Sequence, residues 1–231
     1  MSPEIWLIII VAIVGFIVQM RLQSVFAKYS KVPFPGGMTG RDVAEKMLRD
    51  NGILDVQVVS TRGSLTDNFN PGNKTVNLSE SVYGVSSVAA AAVAAHECGH
   101  ALQHARGYAP LKMRSALVPI VSFASQWAMW VILAGIVFIN TFPQLFWIGI
   151  AMQAAALLFS LVTLPVEINA SRRSTAALVA HHVVAPGAET RGVQTVLTAA
   201  AFTYIAAAVS SLMTLLYWAF RLGLLGGRRR D

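Results

Sequence analysis

Residues 94 to 104 read AAHECGHALQH. On a helix, His96 and His100 lie one turn apart on the same face, about 6 Å from each other along the axis. Two neutral imidazoles so spaced can converge on one tetrahedral Zn²⁺. Glu97 is turned about 100° from His96. That makes it a poor companion ligand, but it can reach a water on the metal. A metal lowers the pKa of its water toward neutrality, and a carboxylate at that distance can accept the proton and later deliver it. The bland alternative is a solvated or hydrogen-bonded histidine pair.

The motif needs a helix, and its surroundings predict one. VSSVAAAAVAAHECGHALQHARG, from about Val85, is rich in strong helix formers and stops at Gly107. An HExxHxxGxxH zinc protease would need glycine at Gln103 and histidine at Arg106, and the chain has neither. His104 lies about 12 Å along the axis from His96, too far to share one ion, and reads as a neighbouring or surface residue. Cys98 faces away from His96 and reads as helix packing.

A catalytic zinc site takes three protein ligands and leaves one position open. Downstream, Glu167, His181, His182 and Glu189 are the candidates for the third. Glu167 lies in TLPVEINASRR, just past an apolar block, where a carboxylate needs a partner. Pro165 suits the first turn of a new helix there. Pairing of Glu167 with Arg172 or Arg173 is the competing reading. His181 and His182 sit three to four turns further on, near a helix end where histidine commonly caps.

The elements that must carry these residues are mostly apolar. Of the 231 residues, 55% are hydrophobic and 13% charged, about half the charged share of an ordinary soluble domain. Residues 5–20, 116–139, 144–164 and 199–220 contain no Lys, Arg, Asp or Glu, and each approaches the roughly 20 residues that cross a bilayer. Four transmembrane helices are expected. The first lacks a basic leader and a small-x-small cleavage site, so it reads as an uncleaved signal anchor. The single cysteine rules out an internal disulfide.

The net charge of +7 belongs to membrane topology rather than to nucleic acid. Eleven Lys and Arg fall in 21–114 and three in 165–198, while MSPE has none. Those two stretches are therefore expected on the cytoplasmic side, with the N-terminus outside. Four crossings would then leave the terminal RRR on the opposite side, against the rule. The second and third helices form a hairpin through NTFP, which returns Glu167 to the level of the motif helix.

Between the first apolar block and the motif, TGRDVAEKMLRDNG predicts a short helix. Thr39 caps it with Asp42 three positions on, Asn51-Gly52 stops it, and Val43, Ala44, Met47 and Leu48 form its apolar face. ILDVQVVST and GSLTDNFNPGNKTVNLS predict three strands, the last two forming a hairpin with NPGN (70–73) as its turn.

Together, GGMTGRDVAEKMLRDNGI, LTDNFNP, VNLSE, VAAHECGHALQHARGYAPLKMRSALVP, LVTLPVEINASRR and AAAFTYIAAA resemble the YugP family of zinc-dependent membrane metallopeptidases, in order and over nearly the whole chain. More distantly, the arrangement is similar to HtpX-type membrane proteases, with Ser171 where those carry an aspartate. The family commonly has His-Tyr after LTD, where this chain has Asn68-Phe69. The resemblance implies an integral membrane, neutral zinc endopeptidase.

The expected architecture is a mainly α integral membrane protein with about four transmembrane helices and a small α+β zincin-like domain. Its segments are a signal anchor (1–22), the catalytic segment with the HExxH helix (23–114), a transmembrane hairpin (115–164), a third-ligand helix and loop (165–198), and a last helix with a basic tail (199–231). Zn²⁺ on His96, His100 and Glu167, with Glu97 as general base and acid, would hydrolyse a polypeptide or membrane-protein substrate at the bilayer. The rivals are a non-catalytic zinc scaffold and, more remotely, a transporter component suggested by Gln126 and Gln153.

Overall fold

The computed structural model describes residues 3–221. In chain order its elements are α1 (Pro3–Tyr29), a 3-10 turn (Pro35–Gly37), α2 (Gly40–Asp50), β1 (Gln57–Thr61), β2 (Asn68–Asn70), β3 (Thr75–Ser79), α3 (Glu80–Tyr83), α4 (Val88–Ala105), α5 (Ala109–Val137), α6 (Pro143–Ala180) and α7 (Ala188–Arg221). Among the described residues, four helices are long and apolar enough to cross a membrane: Ile9–Tyr29, Ala109–Val137, Pro143–Ala180 and Ala188–Ala219. They overlap the four charge-free blocks, and each is prolonged into a polar flank. The basic tail lies outside the described residues.

The expectation that Pro165 opens a new helix is not met, because α6 runs from Pro143 to Ala180 straight through it. Proline removes one backbone hydrogen bond there. Against that loss, Val166, Ala170, Ser174 and Leu178, which recur at helical spacing just beyond it, are all buried. Packing of one face outweighs a single missing bond.

The chain divides into two compact units. One is Met113–Leu164 with the ends of the chain, up to Val18 and from Thr203. Here α5 and α6 approach at small residues. A Cβ on Gly135 would stand 2.5 Å from the Phe146 backbone, and one on Gly149 would stand 2.5 Å from the Ile132 side chain. Helices in an apolar solvent associate through such close packing, since lipid provides no hydrophobic drive between them.

The other unit is Gln19–Lys112 with Pro165–Phe202. Its α2 begins with a complete capping box. The Thr39 hydroxyl accepts from the Asp42 amide, and the Asp42 carboxylate accepts from the Thr39 amide at 2.9 Å. The Thr39 hydroxyl also donates to the Asp42 carboxylate at 2.6 Å, and this bond, with that from the amide, holds the carboxyl below its ordinary range. The helix ends at Asn51, followed by Gly52 at φ +73°. Val43, Ala44, Met47 and Leu48 are all buried. They pack along α4, whose Ala90, Ala91, Ala94, Ala95 and Cys98 belong to the same core. The small side chains let the two helices lie close.

The three expected strands form one sheet in the order β1-β3-β2. β1 runs parallel to β3 (Val58 opposite Val76), and β2 runs antiparallel to it (Phe69 opposite Val76). Val76 and Leu78 on β3 are completely buried. The hairpin turn has the expected four residues but is displaced by one, occupying 71–74. Asn70 Oδ1 accepts from the Gly72 amide and Lys74 takes φ +55°, so the asparagine shapes the turn from its last strand position. Asp67 fastens the start of β2 to the end of β3, accepting from the Ser79 amide at 2.8 Å and from its hydroxyl. Burial nevertheless pushes the Asp67 carboxyl up.

The close approach of α5 and α6 is testable. Gly149→Leu forces the two backbones apart, and overpacking of this kind costs about 1–3 kcal/mol. A lower melting temperature of the detergent-solubilised protein is expected, while Gly15→Leu, which has nothing within 4 Å of its added Cβ, leaves it unchanged.

Candidate metal centre

α4 starts at Ser87, whose hydroxyl accepts from the Ala90 amide, and it carries HECGH across its last two and a half turns. α6 brings EINAS alongside. The crossing point lies inside the motif: a Cβ on Gly99 would stand 2.6 Å from the Ala170 carbonyl oxygen. Glycine in a helix interior costs about 1 kcal/mol against alanine, and here it lets two backbones touch. Glu167 is three residues before Ala170 and therefore faces the same helix.

The structure brings His96, His100 and Glu167 together, with one donor atom from each within 4.8 Å of the others. Glu167 Oε2 lies 3.0 Å from His96 Nε2 and 3.5 Å from His100 Nε2. Ligand atoms around a tetrahedral zinc with bonds of 2.0–2.1 Å are roughly 3.3 Å apart, so the donor set fits that ion. The two imidazole rings meet edge to face, 4.8 Å between centroids. Glu167 and His100 side chains are 2% and 7% exposed and His96 is 14% exposed, so the site opens at His96.

Both histidines are oriented from behind. His96 Nδ1 is 3.1 Å from the hydroxyl of Ser171, one turn after Glu167. His100 Nδ1 is 3.0 Å from Oε1 of Gln103, which is fully buried. The proton positions follow from a donor that cannot accept. Arg173 Nε donates to Asn169 Oδ1 at 2.7 Å, and Gln103 Nε2 donates to that same oxygen at 3.0 Å and to the Val166 carbonyl at 2.8 Å. Gln103 Oε1 is therefore the acceptor, His100 carries its proton on Nδ1, and its Nε2 lone pair is left facing Glu167.

Glu97, next in the chain after His96, is turned about 100° from it around α4. Its Oε2 accepts from the Phe69 amide at 3.0 Å, so the edge of β2 not paired with β3 is turned toward the carboxylate. Asn68 bridges to Asn77 and Thr66, and the Phe69 ring rests against His104.

The other candidates are elsewhere. His181 lies beside Asn51 and Asp50, exposed His182 takes φ +55°, and Glu189 accepts from the Ala185 amide at 2.7 Å. Arg173 is engaged by Asn169 and by the ring of Tyr108. His104 is exposed in the last turn of α4, apart from the cluster, as its spacing implied. Cys98 packs against the Ala44 carbonyl, and burial pushes its thiol up, away from the thiolate a metal would need. Gly99, Gln103 and Ser171 were not singled out as functional by spacing. Only the glycine inside a helical pattern carried a local signal.

A helix pair offers two histidines and a glutamate to one point, a group that could hold a metal ion, and a second carboxylate, Glu97, is held nearby by a sheet edge. The chain belongs to the family described as "Putative neutral zinc metallopeptidase", which matches residues 4–223. It is 44% identical over 202 residues to "Putative membrane protease YugP" of Bacillus subtilis (strain 168), covering 87% of this chain and 88% of that protein. No solved structure matches.

Gln103 separates orientation from ligation. Gln103→Leu keeps all three donor residues but removes the acceptor that holds His100, and loss of such a partner typically costs 10- to 100-fold in metal affinity. Zinc titration against a competing chelator is expected to show that loss, and unchanged affinity would mean that Gln103 does not orient His100.

Proposed function

We propose that this chain is a membrane-embedded zinc endopeptidase of zincin-like build, with its site on the cytoplasmic side of the cell membrane. The observation that carries the reading is the convergence of His96 Nε2, His100 Nε2 and Glu167 Oε2. A zinc ion held by these three would supply a Lewis acid and lower the pKa of a water there. Glu97 is the general base and acid: it takes a proton from the attacking water and returns it to the leaving amide nitrogen. The bond from the Phe69 amide fixes that carboxylate's direction beforehand.

The substrate is a polypeptide, including segments of membrane proteins. The open edge of β2 suits backbone pairing with an extended chain. Ser171, which touches His96, also lines a mostly apolar cavity of about 790 Å³ with Ile168, Val179 and Leu197. A cavity of that size and lining suits apolar side chains flanking the scissile bond.

Two measurements test this reading. Glu97→Gln keeps the metal but cannot accept the proton, so turnover of an unfolded membrane substrate is expected to fall at least about a hundredfold with zinc content unchanged. Glu167→Ala should lose both zinc and activity, while His181→Ala and His182→Ala keep both. Cleavage undiminished in the Glu97 variant would show that the activity does not arise at this site and would overturn the enzyme reading.

Sidedness is tested separately at the β2–β3 turn. A Lys74→Cys substitution in a Cys98→Ala background is expected to resist impermeant thiol reagents added outside intact cells and to react once the membrane is opened. Labelling from outside would reverse the topology.

A further inference from the structure

The metal ligands and Glu97 leave unused a second cluster of polar groups on the first half of α7, where Gln194 and Thr198 also border the cavity beside Ser171. There α1 and α7 lie side by side, close enough that a Cβ on Gly192 would stand 3.2 Å from the Tyr29 ring. Below that contact they enclose a cavity of about 270 Å³. Its lining includes Arg21 and Val25 from α1, and Arg191, Thr195, Thr198 and Phe202 from α7. No acidic residue lines it, and neither arginine forms an ion pair among the described residues. Two guanidiniums, which remain charged at any physiological pH, thus face one small space without a counter-charge.

Three features give the ligand its chemistry. Guanidinium groups bind phosphate oxygens through paired, charge-assisted hydrogen bonds, and threonine hydroxyls can add further donors. In the rest of the wall Val25, Ala199 and Phe202 are apolar, and Gln194 adds a polar amide. The height in the membrane is readable along both helices: the charge-free block of α1 ends at Met20, immediately before Arg21, and that of α7 begins at Ala199. The cavity straddles the level at which both helices pass from apolar to polar sequence, which is the level of lipid headgroups. By the positive-inside rule this is the cytoplasmic leaflet, where anionic lipids attract basic residues.

We propose that the cavity between α1 and α7 binds the phosphodiester headgroup of an anionic phospholipid, held by Arg21 and Arg191 with Thr195 and Thr198, while the lipid's glycerol and upper chain lie on Ala199 and Phe202. The shared chemistry with free phosphate is the phosphoryl oxygens. The apolar wall and the interfacial height commit the site to the lipid.

The test uses the full-length protein in detergent, with bound lipid counted by native mass spectrometry during titration with phosphatidylglycerol or phosphatidylcholine. Phosphatidylglycerol is expected to bind the wild type more tightly. Arg21→Gln and Arg191→Gln should each weaken it about fivefold, and the double variant about twenty-five-fold, from roughly 1 kcal/mol for each basic residue near an anionic surface. Arg62→Gln, in an exposed turn, should change nothing, and the charge-keeping Arg21→Lys/Arg191→Lys pair should retain most of the preference. Equal binding of the two lipids by wild type, or a double Gln variant indistinguishable from it, would overturn the proposal. Displacement of the lipid by inorganic phosphate at comparable concentration would also overturn it, in favour of a free-anion site.

Discussion

Backbone contact between α4 and α6 at Gly99 and Ala170 is the constraint on which the site depends. Helices that carry side chains at their crossing stand 8–10 Å apart. A histidine cannot bridge a wider gap and still share an atom-sized target with a carboxylate from the other helix. With a bare glycine between His96 and His100, the separation shrinks until Glu167 Oε2 lies 3.0 Å from one imidazole and 3.5 Å from the other. The alanines of α4 extend the same logic to its other side, where α2 packs. The HECGH helix is thin on two faces because two elements must come close to it.

Distance alone would leave the rings free to turn. Directionality comes from the buried amides behind them, beginning at Arg173, a group that can only donate. Asn169 passes that polarity to Gln103 and Gln103 passes it to His100, so the tautomer at the metal side is decided by a residue two helical turns along α6 from Glu167. The same glutamine binds the Val166 carbonyl and so ties α4 to α6. Building the orienting group and the helix clasp from one side chain couples site geometry to helix packing.

Much of this was legible in the sequence, for reasons that differ by element. The four apolar helices were visible because exclusion of charge over some twenty residues has few other causes. The capped α2 was visible because Thr39, Asp42 and Asn51-Gly52 act locally. Convergence of Glu167 with the histidines could be argued from the NTFP turn, since a hairpin returns the chain to the level it left. What could not be read was set by tertiary contact. The unbroken α6 through Pro165 depends on a buried face that local propensity does not report, and the displaced hairpin turn depends on Asn70 capping its own loop. Gln103, Asn169 and Ser171 are ordinary polar residues until α4 and α6 are laid together.

The hydrogen bond from Phe69 to Glu97 belongs to the main chain, and that gives position 69 an unusual inheritance. Nineteen of the twenty amino acids offer an amide there, so the side chain can drift among relatives while the contact to the carboxylate persists. Proline alone deletes it, and proline would also sit poorly in a strand that must stay extended. Variation at such a position would look like neutrality, although the atom that matters never changes.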